Sequence, residues 1–273
     1  MSRACQAEAT FVADPWLEGA RSPAGRRLRW WKEVLLAGAF YLVYSAVRNT
    51  QGSASVSRSL AFRNARRIIH VERIFGLYHE RAIQHLFVRA EDLMELWNLF
   101  YGTFHFVVTI AVLVFLFRCA PTRYRRWRNA LAATTALALI GFTLYPLMPP
   151  RLLPPSYGFV DSLKAFGSLW SFDSGAMQKI SNQFAAMPSL HFAWSLWCAC
   201  ALVPALRRRG AKVLAALYPA ITLCAIVITA NHYLLDAAAG AVTVGAGWLY
   251  ATVTTGLWDR LRARRRPAVP AAA

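Results

Sequence analysis

Six long apolar stretches constrain this chain more than any other feature of its sequence. Each holds about 17 to 24 residues, basic residues separate them, and they occupy 33–49, 96–117, 129–145, 190–206, 213–230 and 234–257. A helix of this length crosses a hydrocarbon core of about 30 Å, because each residue adds about 1.5 Å. The pattern predicts an all-α, polytopic membrane protein, folded as a bundle of six transmembrane helices.

The placement of the basic residues predicts the orientation of the bundle. The formal net charge is +18. Four segments that fall on one side of six spans hold 19 Lys and Arg in 36 positions, namely 21–32, 118–128, 207–212 and 260–266. The opposite segments, 50–93 and 146–188, hold 10 in 87. Because Lys and Arg collect in cytoplasmic loops, both termini are expected to be cytoplasmic in a cell-membrane protein. Topology accounts for the charge, so no nucleic-acid partner is expected.

The chain divides into three regions by composition. Residues 1–29 are predicted to be a disordered cytoplasmic tail, 30–258 the six-span domain, and 259–273 a basic cytoplasmic tail. No apolar run precedes the first span, which is therefore expected to act as its own insertion signal. Within 57–92, apolar residues recur at helical spacing opposite arginines, which predicts an amphipathic helix in the outer membrane interface. A solvated helix packed on the domain is the alternative.

The first polar motif is "YPLMPPRLLPP" (145–155), directly after the third apolar stretch. Its prolines end the helix and stiffen the exit, which holds Arg151 near the interface on the side that is poor in basic residues. A guanidinium binds phosphate through two parallel hydrogen bonds, so Arg151 is a candidate phosphate ligand. An arginine that reaches out to lipid headgroups is the alternative.

The second motif, "MPSLH" (187–191), opens the fourth apolar stretch. Pro188 suits the first turn of a helix, where free backbone N–H groups favour an anion. Ser189 adds a hydroxyl donor, and His191 follows on the next turn.

The third motif, "ANHYLLDAAAG" (230–240), joins the last two apolar stretches. His232 and Asp236 are four residues apart, so a helix brings them to one face. The carboxylate can then fix the imidazole tautomer and leave the other ring nitrogen free to attack. A purely structural pair is the alternative. Counting spans places His191, His232 and Arg151 at the same membrane face.

A softer feature is a polar stripe on the second apolar stretch, formed by Asn98, Tyr101 and His105. Polar side chains inside a membrane are functional candidates, but they also form hydrogen bonds between helices. Both interpretations stay open for the stripe, and Asn231, next to His232, is a further candidate for substrate binding.

The stretches "PPR", "PSLH" and "NHYLLD" together make the chain resemble the type 2 phosphatidic acid phosphatase superfamily, and within it the branch related to inositol phosphorylceramide synthase. The resemblance implies that His232 is the nucleophile, that Asp236 orients and stabilises it, and that His191 protonates the leaving oxygen. It also implies that Ser189 and Arg151 hold the phosphate oxygens. The usual first motif of the superfamily, KxxxxxxRP, is absent, and "PPR" takes its place.

The activity implied by the resemblance is phosphoryl transfer through a phosphohistidine, without metal or cofactor, at the outer face of the membrane. The substrate would be a lipid-linked phosphate or phosphodiester. The acceptor would be water in a phosphatase, or a polyol or sugar hydroxyl in an inositolphosphotransferase-like enzyme. A transporter or lipid-binding membrane protein without catalysis is the alternative, since it could use the same polar residues as a transit site.

Overall fold

The computed structural model describes residues 29–50, 57–166 and 183–264. The predicted disordered tail, apart from its last residue, and the predicted basic tail from residue 265 onward lie outside these ranges. The described residues form nine α-helices: α1 (Trp30–Thr50), α2 (Arg58–Ile74), α3 (Glu80–Phe87), α4 (Glu91–Cys119), α5 (Pro121–Leu144), α6 (Ser162–Ala165), α7 (Leu190–Leu202), α8 (Arg209–Ile228) and α9 (Leu234–Arg264). Two short 3₁₀ turns, Pro150–Leu152 and Pro155–Tyr157, lie between α5 and α6.

Three of these helices are long and apolar enough to cross a membrane. They are α4, α8 and the part of α9 that covers Leu234–Trp258. The prediction of an all-α membrane protein is therefore confirmed, whereas six spans remain a proposal. The fourth predicted span differs most, because α7 has only 13 residues and ends two residues before Pro204. Pro204 has no N–H group to donate to the carbonyl four residues before it, which explains the early end. At about 1.5 Å per residue, α7 is about 20 Å long.

The bundle is held together by close packing around α7 and along the pair formed by α5 and α9. Inside the bundle, the indole Nε1 of Trp197 on α7 donates to the carbonyl of Trp127 on α5 at 3.0 Å. Gly247 lets α9 approach α5, since a Cβ there would lie 2.8 Å from the carbonyl oxygen of Ala130. Small residues at such crossings let helix backbones approach closely. Inside a membrane the hydrophobic effect does not drive helices together, so this close packing stabilises their association.

Three chain segments meet at one end of the bundle: the exit from α5, the segment before α7, and the turn between α8 and α9. The amide of Leu147 donates to the carbonyl of Phe184 at 2.8 Å. The hydroxyl of Tyr233 donates to the carbonyl of Met148 at 3.1 Å. These bonds tie all three segments into one unit.

Helices α2 and α3 cover this end of the bundle. The apolar face of α2, with Ala65, Ile68 and Ile69, is buried against the segments that meet there, while its arginines stay exposed. The amphipathic helix predicted within 57–92 is thus present, and its packing favours the alternative of a helix seated on the domain. On α3, the Gln84 amide donates to the carbonyl of Val160 at 2.8 Å and accepts from its N–H at 3.0 Å, which fixes the loop before α6.

Candidate active site

The three polar motifs predicted from the sequence lie together at the covered end of the bundle. The amide of Arg151 donates to the carbonyl of Ala230 at 2.8 Å, and the amide of Ser189 donates to the carbonyl of Asp236 at 2.9 Å. The ring centroids of His191 and His232 are 5.5 Å apart. These contacts join residues that are separated by about 40 to 80 positions in the chain.

Hydrogen bonds fix the ring of His232. Its Nδ1 lies 2.9 Å from the carbonyl oxygen of Ala186 and 3.3 Å from Oδ2 of Asp236. Both partners are acceptors, so in the neutral ring the proton is on Nδ1 and the lone pair is on Nε2. Nε2 is buried and has no hydrogen-bond partner among the described residues. The arrangement presents one nucleophilic nitrogen in a defined orientation.

The turn between α8 and α9 places His232 in this position. Ala230 adopts a left-handed φ of 53° and ends α8 in the way that glycine usually does. The amides of Asn231 and His232 both donate back to the carbonyl of Ile226, at 3.0 and 3.2 Å. The chain therefore reverses tightly, and α9 starts two residues after His232.

His191 lies in an aromatic setting at the start of α7. Its ring stacks on Tyr101 at a centroid distance of 4.1 Å and meets the edge of His105 at 4.2 Å. A narrow crevice next to it is bounded by side chains of α4 and α8, including Tyr218 and Thr222. Two members of the predicted polar stripe, Tyr101 and His105, thus lie against the His191 ring.

The third member of the stripe has another role. Asn98 is fully buried, and its side chain donates to the carbonyl of Ser162 at 2.9 Å and accepts from the Ser162 hydroxyl at 3.0 Å. Asn98 therefore links α4 to α6. For this residue the structure favours the hydrogen bond between helices over substrate contact.

Ser189 is the N-cap of α7. Its hydroxyl oxygen accepts a hydrogen bond from the amide of Phe192 at 3.4 Å, as expected for a serine at this position. Pro188 consequently precedes the helix instead of lying in its first turn, because the serine occupies the cap. The first turn of α7 and the Ser189 hydroxyl group lie at the same end of the bundle as His232, because the Ser189 amide donates to the carbonyl of Asp236.

Arg151 is held by two side chains. Its Nε donates to Oδ1 of Asn231 at 2.9 Å, and its Nη1 donates to both carboxylate oxygens of Asp161 at 3.0 and 3.1 Å. Nη2 takes part in neither contact. The arginine side chain is 8% exposed, so its guanidinium is oriented by protein instead of reaching into the headgroup region. Sequence reasoning missed Asp161, which carries no local signal of this pairing.

Two further acidic residues reach the site and were also missed. Glu72 on α2 and Glu80 on α3 are fully buried and accept hydrogen bonds from the amides of Leu235 and Leu234, at 2.9 and 3.1 Å. Burial, reinforced by Glu80, raises the pKa of Glu72 to about 9. A signal for Glu72 does exist in the sequence, since it lies on the apolar face of the amphipathic helix, seven residues after Ala65.

In the part of the chain that the structure describes, no group of three or more His, Cys, Asp or Glu side chains is arranged to hold a metal ion. The site brings together two imidazoles, one guanidinium and the carboxyl groups of Asp161, Asp236, Glu72 and Glu80.

Comparison with protein families identifies the class to which this site belongs. The model of the PAP2 superfamily matches residues 66–250, a range that includes every residue of the site described above. The chain belongs to the PAP2 superfamily, the type 2 phosphatidic acid phosphatases, and its function is of the phosphatase or phosphotransferase type. Searches of curated proteins and of solved structures gave no match.

Proposed function

We propose that this protein is an integral-membrane lipid phosphatase or phosphotransferase that acts on a lipid-linked phosphate through a phosphohistidine at His232. The observation that carries the proposal is the state of the His232 ring, in which Asp236 and the Ala186 carbonyl hold Nδ1 while Nε2 is unpaired. A neutral imidazole oriented by a carboxylate is the usual form of an activated histidine nucleophile.

In the first step, Nε2 of His232 attacks the phosphorus and the bond between the phosphorus and the lipid oxygen breaks. His191, in its protonated form, donates a proton to the leaving oxygen. The His232 ring becomes positively charged, and Asp236 beside Nδ1 stabilises that charge. A ring separation of 5.5 Å allows one phosphate group to contact both histidines.

In the second step, His191 accepts a proton from the acceptor hydroxyl as its oxygen attacks the phosphorus. The bond between Nε2 and phosphorus breaks, which returns His232 to its starting form. Water as the acceptor makes the protein a phosphatase, and a polyol or sugar makes it a phosphotransferase. The stretches that resemble the inositol phosphorylceramide synthase branch favour transfer to a polyol, so we propose an inositolphosphotransferase-like activity.

Two further residues bind the phosphate oxygens in this proposal. Arg151 has its Nε and Nη1 bonded to protein, so its Nη2 is the nitrogen left for a phosphate oxygen. Ser189 contributes a hydroxyl donor at the start of α7, where the helix dipole also favours negative charge. Tyr101, His105 and Asn231 would contact the remainder of the substrate.

We further propose that residues 30–258 form one six-span domain, with both termini cytoplasmic and the site at the outer face of the cell membrane. The proposed partners are the lipid phosphate, the surrounding membrane lipids and a polyol or sugar acceptor, with no nucleic acid among them. The support is the concentration of basic residues in the four segments on one side of the predicted bundle.

Product analysis tests the activity. Purified protein is given a lipid phosphate labelled in its phosphate group, with and without inositol or another polyol, and His232→Ala serves as the control. Label in free phosphate indicates the phosphatase, and label in a new ester of the polyol indicates the transferase. Unchanged substrate that remains bound to the protein would contradict catalysis and support the transporter or lipid-binding alternative.

A further inference from the structure

The first turn of α9 is capped entirely by carboxyl groups. Asp236 accepts a hydrogen bond from the amide of Tyr233, three residues before it, at 2.9 Å. Glu80 accepts from the amide of Leu234 at 3.1 Å, and Glu72 accepts from that of Leu235 at 2.9 Å. Helix N-termini carry free N–H groups that a single Ser, Thr, Asp or Asn usually caps. Here two of the caps come from distant helices, and all three act on the turn that carries the partner of His232.

Each glutamate uses one oxygen for this bond and has a second oxygen without an evident partner. Oε2 of Glu72 and Oε2 of Glu80 are buried and have no hydrogen-bond partner among the described residues when both groups are ionised. Asp236 is also fully buried nearby, so full ionisation would place three negative charges at one helix end. Buried charges without compensation are costly, and so are unpaired buried oxygens.

We propose that Glu72 and Glu80 share one proton between their second oxygens, and that the resulting pair positions His232 and Asp236 for reaction. The shared proton would satisfy both Oε2 atoms with one hydrogen bond and leave one negative charge on the pair. That charge is matched by the positive end of the helix. The proposal rests on the phosphoryl transfer proposed above, and it makes the glutamates positioning residues, because neither of them touches the substrate.

The electrostatics of the pair agree with this geometry. Burial is the main cause that raises the pKa of Glu72 to about 9, and Glu80 and Asp236 act in the same direction. The other titratable groups that face the pair are Tyr78 and Tyr233, whose pKa values burial also raises. Glu72 therefore holds the shared proton at neutral pH.

The sign of the resulting pH dependence follows from proton binding. The folded protein keeps a proton on Glu72 that the unfolded chain releases above the ordinary pKa of about 4.5. The contribution of Glu72 to stability is thus fully present below that value and falls as the pH rises to about 9. Glu72→Gln carries no such proton, so its unfolding midpoint should depend less on pH than that of the wild type over this window.

Glutamine substitutions distinguish a shared proton from two independent caps. In either single variant, Glu72→Gln or Glu80→Gln, the amide oxygen can still cap the helix and the NH₂ group can donate to the remaining carboxylate. Each single variant should therefore keep kcat within about twofold of the wild type. In the double variant two NH₂ groups face each other with no acceptor between them. Its kcat should fall by about 10²-fold with KM little changed, because the His232 turn is displaced.

The experiment measures kcat, KM and the unfolding midpoint in detergent for the wild type, the two single variants and the double variant. Glu91→Gln, an exposed carboxyl on α4, is the control and should match the wild type. A double variant that shows only the sum of two small effects would overturn the proton-sharing pair. If the wild type itself turns over no lipid phosphate, the proposed function fails separately. The midpoints then decide the pair, since sharing requires the double variant to be destabilised by more than the sum of the singles.

Discussion

His232 has two ring nitrogens in different surroundings, and this difference decides which of them can react. Nδ1 is engaged by a backbone carbonyl and by Asp236, whereas Nε2 lies buried without a partner in the described part of the chain. His191 differs again, since its contacts are the faces and edges of other rings. The two histidines are therefore not equivalent, and substitutions should separate them.

The first prediction concerns this difference. His232→Ala removes the proposed attacking atom, so turnover and any trapped phosphoenzyme should both disappear. His191→Ala removes the proposed acid and should lower kcat by about 10²–10⁴-fold. A substrate with a good leaving group needs less protonation, so it should partly restore the His191 variant and leave the His232 variant inactive. Measuring both variants with an aryl phosphate and an alkyl phosphate checks this, and the opposite pattern of rescue would reverse the two roles.

A second prediction concerns the guanidinium group of Arg151. Lysine keeps the positive charge but lacks the planar guanidinium group. It therefore cannot bond both Asn231 and Asp161 and still direct a further N–H group at a phosphate oxygen. Arg151→Lys should therefore weaken phosphate binding by about tenfold, which corresponds to about 1.4 kcal/mol. Inhibition by inorganic phosphate gives the binding constant directly. Arg125→Lys, at the opposite end of α5, is the control, and an equal effect there would rule out a specific phosphate ligand.

At the scale of single residues, the sequence predicts contacts between residues that are close in the chain and misses contacts between residues that are far apart in it. His232 and Asp236 are four residues apart, so helix geometry alone brings them together. Arg151 was predicted near the site from its prolines, yet its partner Asp161 was missed because irregular chain separates the two residues, which are ten positions apart. The carbonyl of Ala186 that also holds His232 has no side-chain signature, and only the folded chain reveals it.

At the scale of elements, the site depends on helices that approach closely at glycines. Gly240 on α9 lies against the segment before α7, where an added Cβ would be 2.7 Å from the carbonyl oxygen of Ser189. Gly247, two turns later, lies against α5. Gly245 has nothing within 4 Å of the position of a Cβ. Three of the four glycines of α9 thus lie in three different settings.

Alanine at these glycines should have graded effects. Gly247→Ala should destabilise the protein by about 1–3 kcal/mol through overpacking. Gly240→Ala should lower stability similarly and also reduce kcat, because the atom it crowds belongs to Ser189, the N-cap of α7 and a proposed phosphate ligand. Gly245→Ala should be neutral or slightly stabilising, by up to about 1 kcal/mol. Unfolding midpoints and kcat for the three variants check the order, and equal effects at all three would contradict the packing.

The periodicity of the sequence predicted the helices well, but it predicted less well what each helix packs against. The amphipathic pattern in α2 was recognised, but whether its apolar face meets lipid or protein is not encoded in the pattern. The length of α7 was overestimated because residues after Leu202 remain apolar, while Pro204 limits the helix. The apolar composition of a segment indicates whether it can enter a membrane. Where its helix ends depends on backbone hydrogen bonding, which Pro204 interrupts.

At the scale of the whole molecule, the polar residues of the candidate site collect at one end of the bundle. The exposed loop that contains Ser156 lies at that end, and the basic turn that contains Arg209 begins α8 at the other. The charge bias of the sequence predicts that the first faces outward and the second faces the cytoplasm.

Cysteine accessibility tests this orientation. In a background free of other reactive cysteines, Ser156→Cys should react with a membrane-impermeant thiol reagent on intact cells, because the proposed topology places its loop outside. Arg209→Cys should react only after the cells are opened. Labelling of the Arg209 variant alone on intact cells would invert the proposed topology.

A last prediction concerns metal ions. The proposed mechanism uses only side chains, so activity should persist after exhaustive treatment with a chelator. The measurement is kcat before and after chelation, with a parallel sample to which magnesium is returned. Loss of activity that a single added divalent ion restores would overturn the metal-independent mechanism.

The capping of α9 by Glu72 and Glu80 has a consequence for biosynthesis. The glutamates precede the amides they bind by 163 and 154 residues. At translation rates of about 5–20 residues per second, they wait roughly 10–30 s for their partners. His232, Asp236 and the helix end that holds them are therefore all made after the two glutamates. Under the proposed mechanism, the nascent chain is inert toward lipid phosphates until α9 has joined the bundle.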